Sequence, residues 1–90
     1  NLDPEPALKF SDIYKNLASD YSKLAVPSDW LALHKAMVIH LKNSEIVFRA
    51  MADYPKDPVR GYMAFELFSG LLESGTQIQL MFNEKVKEIQ

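Results

Sequence analysis

Two histidines, one carboxylate and a short run of basic residues are the groups in this 90-residue chain with chemistry to offer. His34 and His40 lie six residues apart. At ~100° per residue they point ~120° apart, so one helix cannot bring both to one metal ion. Glu45 falls on the apolar side of the same segment, where burial could raise its pKa and make it an acid or base. Set against these roles, His34 reads first as a core-edge histidine bonded to a neighbour, and His40 as solvent-facing or interhelical. Glu45 reads first as a carboxylate that snorkels at the seam edge or pairs with a Lys or Arg of a neighbouring helix. No Glu-x-x-His occurs, which argues against a di-metal carboxylate bundle. There is no cysteine, no Gly-x-Ser-x-Gly and no phosphate-cradling glycine loop. The sequence therefore assigns no catalytic residue, no metal and no cofactor, and it reads as a non-enzyme.

Lys35, Lys42 and Arg49, spaced by seven, form a basic stripe without interleaved aromatics. Pairing with Asp12 or Asp20, or plain solvation, explains them better than phosphate does. The formal net charge of −2 gives no pull toward nucleic acid.

The elements that must position these groups are helices. In residues 28–52, Trp30, Leu33, Met37, Leu41, Phe48 and Met51 share one face. Ala32, Ala36, Ile39, Ile46, Ala50 and Val47 form a second stripe. Two apolar flanks predict a helix with a neighbour on each side. Pro27 bars continuation from the preceding helix, Ser28 can cap, and Asp29 suits the dipole. Before it, Asp3-Pro4-Glu5 opens a helix whose seam is Phe10, Tyr14, Leu17, Tyr21 and Leu24. After the two-proline loop, Asp57-Pro58 opens a third helix with a seam of Ala64, Phe68, Leu71, Gly75, Ile78, Phe82 and Ile89. Gly75 on that seam implies a close neighbour, and Gly70 marks a place where the helix can bend. Strand alternation and hairpin turns are absent.

The expected fold is all-α: one domain, an antiparallel three-helix bundle with a long C-terminal helix, over about 4–25, 28–53 and 58–89. A further helix would make it a four-helix bundle. The third helix outlasts the second, leaving Val86 and Ile89 uncovered. With Tyr62, Met63, Leu80 and Met81 they form a candidate interaction surface. No run reaches the ~18–20 apolar residues of a membrane span, and no signal peptide is present. The chain opens on Asn1-Leu2 without Met, which reads as a piece of something longer.

Val26-Pro27-Ser28-Asp29-Trp30-Leu31-Ala32-Leu33-His34 and Asp57-Pro58-Val59-Arg60-Gly61-Tyr62 together resemble uncharacterised helical proteins of small-genome bacteria. Those look like anchored, outward-facing proteins without an assigned activity. The resemblance covers about two thirds of the chain and implies an N-terminal helix or anchor and an extracytoplasmic site. It transfers no functional residue.

Three functions are worth weighing. The first is a non-catalytic interaction or structural module that binds a protein partner or itself, with any membrane contact made by a segment outside this chain. The second is a small-molecule-binding or sensory bundle with Trp30, Phe48 and Phe68 lining an internal pocket. The third, an enzyme using Glu45 and His34, has the least behind it.

Overall fold

A computed structural model describes residues 3–89. Three helices make up the fold: α1 (Glu5–Ser22), α2 (Leu31–Ala52) and α3 (Pro58–Ile89), with a 3-10 turn over Ser28–Trp30 before α2. The described residues contain no strand. The chain is an antiparallel three-helix bundle with a long last helix.

Local chemistry explains most of the boundaries. The Glu5 N–H donates to Asp3 Oδ1 at 3.0 Å, and proline occupies the first turn of α1. The Arg60 N–H donates to Asp57 Oδ1 at 3.2 Å, and the Gly61 N–H donates to the Asp57 carbonyl. Asp57 is thus the cap expected before Pro58. Two expectations shift. α1 ends at Ser22 rather than Ala25, closed by Lys23 and Leu24 N–H bonds to the Asp20 and Tyr21 carbonyls. Ser28 makes no side-chain cap; residues 28–30 turn as 3-10 first, and α2 begins at Leu31. α3 runs unbroken through Gly70.

α2 is the middle helix, and α1 and α3 flank it rather than pack on each other. The result is a layer one helix deep, 50 × 23 × 15 Å along its principal axes. The fully buried part of the contact with α1 is made by small residues, with the rings of Phe10, Tyr14 and Tyr21 packing on Phe48 and His34 beside them. Ser11 and Ala18 are buried, and Ser11 Oγ donates to the Glu45 carbonyl at 3.0 Å. The seam expected on α1 is therefore rotated: Tyr14 and Tyr21 are half-buried, while Phe10, Leu17 and Leu24 are about half exposed. On the other side, Val47, Ala64 and Leu71 form the α2–α3 core, with Ala50, Met51 and Phe68 packed against it.

The second apolar stripe of α2 is split by this arrangement. Val47 is buried, and Ala36 and Ala50 are half-buried, whereas Ile39 and Ile46 are 59% and 61% exposed. The expectation of a neighbour over the whole stripe is corrected. Flanking helices cover the sides of α2 and leave its back, opposite Trp30, Met37 and Phe48, facing water. The basic stripe beside it is exposed, and among the described residues only Arg49 of the stripe is paired, 3.4 Å from Asp12. A surface pair of this kind contributes about 0.5 kcal/mol or less.

Candidate functional site

The front of the layer is concave. α2 forms the floor and α1 and α3 the walls of a groove of about 510 Å³. Its floor is Trp30, Leu33, His34, Met37, His40 and Leu41; Tyr14 and Tyr21 line it from α1, and Gly75, Ile78, Gln79 and Phe82 from α3. That volume lies within the ~300–1,000 Å³ of ordinary small-molecule sites. Tyr14 and Tyr21 form the α1 wall at the front edge of the α1–α2 contact, stacked on Phe48 and His34 of α2, while Ser11 and Ala18 are buried behind them.

Both histidines line this groove, in different settings. The His34 imidazole stacks on Tyr21, with centroids 4.7 Å apart at 21°. It is 8% exposed, and its Nδ1 is the one buried side-chain polar atom without a hydrogen-bond partner among the described residues. The core-edge position is as expected, but the neighbour's hydrogen bond is not made; stacking takes its place. His40 is interhelical. Its Nδ1 lies 2.7 Å from Ser74 Oγ of α3, and the Cε1–Nε2 edge of its ring faces Gly75.

Glu45 is not near this pair. It stands eleven residues from His34 on the same helix, ~16 Å by rise, and half-buried against α1 beside Lys15 and Lys42. The structure brings no acid–base pair together from Glu45 and His34. Among the described residues no group of three His, Asp or Glu could hold a metal ion. No helix among the described residues is long and apolar enough to cross a membrane.

Of the aromatics expected around an internal pocket, only Trp30 lines the groove, with its ring 6.2 Å from Phe82. Phe48 and Phe68 instead meet each other edge-on at 5.8 Å, and Phe48 also contacts Phe10 and Tyr14. Phe68 packs against the α2–α3 core, and Phe48 borders a separate, smaller cavity of about 230 Å³ with Phe10, Met51 and Phe65.

The six residues of the candidate interaction surface are spread along α3. Tyr62 and Leu80 lie on one azimuth and Met63 and Met81 on another, each pair eighteen residues and ~27 Å apart. Tyr62, Met63, Leu80 and Ile89 are more than half exposed, Met81 is 37% exposed, and Val86 is half-buried. Met63 does join a second, more open cleft of about 350 Å³ on the back of the layer. There Val59, Met63 and Leu67 of α3 face Ile46 and Ala50 of α2. Sequence periodicity missed this cleft because Ile46 looked like a core position.

No family model, curated relative or solved structure matches this chain.

Proposed function

We propose that the chain is a non-catalytic interaction module that associates through apolar helix surface. One observation carries the reading. Among the described residues the buried core comprises eight apolar residues, three of them alanine, while seventeen large apolar side chains are exposed. A soluble chain of this size ordinarily exposes apolar residues singly. Here Ile46, Val59, Met63 and Leu67 are neighbours in one cleft, each at least 58% exposed. Covering them removes apolar area from water at about 25 cal/mol per Å².

Light scattering tests the reading. The expected result is a mass above that of the monomer, falling to the monomer mass in the double variant Ile46→Lys, Met63→Lys. A wild-type chain that stays strictly monomeric at high concentration speaks against self-association through this cleft.

A second reading, a small-molecule-binding bundle, draws support from the front groove. Its volume and aromatic lining suit a ligand, and it lies on the opposite side of α2 from the cleft.

A further inference from the structure

We infer that the front groove is a binding site for a planar, uncharged aromatic molecule bearing one O–H donor, a phenol, whose proton is taken in a hydrogen bond by His40 Nε2. The inference rests on the small-molecule reading of the groove and adds the ligand class and the residue that selects it.

The proton arrangement at His40 sets the chemistry. Ser74 Oγ has two contacts: the Leu71 carbonyl at 3.1 Å and His40 Nδ1 at 2.7 Å. A hydroxyl has one proton, and a carbonyl can only accept. The assignment that makes both contacts hydrogen bonds gives the Ser74 proton to the Leu71 oxygen, so Nδ1–H donates to Ser74. The neutral imidazole then carries its lone pair on Nε2. That atom has no partner among the described residues. It faces Gly75, where even an added Cβ would lie 3.7 Å away, in ordinary contact. Gly75 sets no side chain against the Nε2 edge, and both His40 and Gly75 line the groove.

The lining supplies the rest of the specificity. No Asp, Glu, Lys or Arg lines the groove, so neither a cation nor an anion meets a countercharge there. Rings from all three helices surround it: Tyr14 and Tyr21 from α1, Trp30 and His34 near the start of α2, and Phe82 from α3. Flat aromatic faces accept a flat ligand by stacking and edge contact. Two histidines without a third ligand do not make a metal centre. A neutral aromatic body with one donor toward Nε2 matches the uncharged, ring-rich lining and the open acceptor on His40.

The test uses β-naphthol and its methyl ether, which share a shape but differ in the O–H, titrated into the full chain at neutral pH. Trp30 fluorescence reports occupancy, and uniform nitrogen labelling reports the His40 ring and the backbone amides in NMR spectra. The expected result is tighter binding of β-naphthol by about tenfold, the worth of one hydrogen bond, with the His40 Nε2 and Gly75 amide signals moving. In His40→Phe the preference disappears while the ether still binds. Ser74→Ala, which leaves the Nε2 edge in place but frees the tautomer, weakens the preference and guards against a His40 variant that fails to fold. Equal affinity for naphthol and ether overturns the assignment of His40 while the groove reading stands. Binding of neither probe, or signal changes confined to Ile46 and Met63, overturns both.

Discussion

Gly61 lies under Tyr54 so closely that a Cβ placed on it would stand 2.7 Å from both the Cα and the Cβ of Tyr54. No real Cβ tolerates that distance to backbone, so this glycine sets how tightly the α2–α3 turn folds back. Gly61→Ala is expected to destabilise the chain by about 1–3 kcal/mol, the usual cost of overpacking. Thermal unfolding followed by circular dichroism measures it. An unchanged melting temperature would show that the turn can move aside freely.

Gly70 is the opposite case. Nothing lies within 4 Å of a Cβ built there, and the position is mid-helix and exposed. Gly70→Ala should stabilise by about 0.5–1 kcal/mol, because glycine's extra backbone freedom is lost on folding. Denaturant titration of the two glycine variants side by side should give shifts of opposite sign.

Ser11 is wholly buried and its hydroxyl bonds to the Glu45 carbonyl. Ser11→Ala keeps the small volume and should cost about 1 kcal/mol, the net worth of one hydrogen bond. Ser11→Leu forces α1 away from α2 and should cost more, about 1–3 kcal/mol from overpacking. If Ser11→Leu were as stable as Ser11→Ala, close approach through small residues would not be what holds α1.

Glu66, one turn along from Tyr62, holds the Tyr62 phenol above its ordinary value of 10.0, first by hydrogen bonding and then by its charge. Loss of a proton from a group whose folded pKa is raised is disfavoured in the native state. Its contribution is therefore full below pH 10 and lost as pH rises through the higher folded value. The phenolate absorbance that Tyr62→Phe removes should appear above pH 10 in the native chain, and Glu66→Gln should lower that midpoint. A midpoint that Glu66→Gln leaves in place would disconnect the two residues.

How far the sequence foretold this arrangement differs from element to element. Asp57-Pro58 announced the start of α3 because cap and proline both act locally, and its periodicity then carried the helix to Ile89. The rotation of α1 was hidden. Its apolar residues cover a wide arc from Ile13 through Leu17 and Tyr21 to Ala18, and periodicity weights the large ones. The structure uses the small end of the arc, Ser11 and Ala18. For the same reason Ile39 and Ile46 looked buried: a pattern gives the width of an apolar surface but not how many neighbours share it. The groove was half-visible, through Trp30, the interhelical option for His40 and the seam position of Gly75. The bond from His40 to Ser74 spans 34 residues and two helices, and no local pattern encodes it.

Because α1 and α3 sit on opposite sides of α2, the two seams share few side chains, and Phe48 is the main bridge between them. Detaching α1 therefore leaves the Val47–Ala64–Leu71 cluster whole. Amide hydrogen exchange should accordingly sort the chain into two cooperative blocks, α1 releasing its protons by a cheaper opening than the α2–α3 hairpin. Anything seated between Tyr21 and Phe82 would clamp the blocks together and erase that difference.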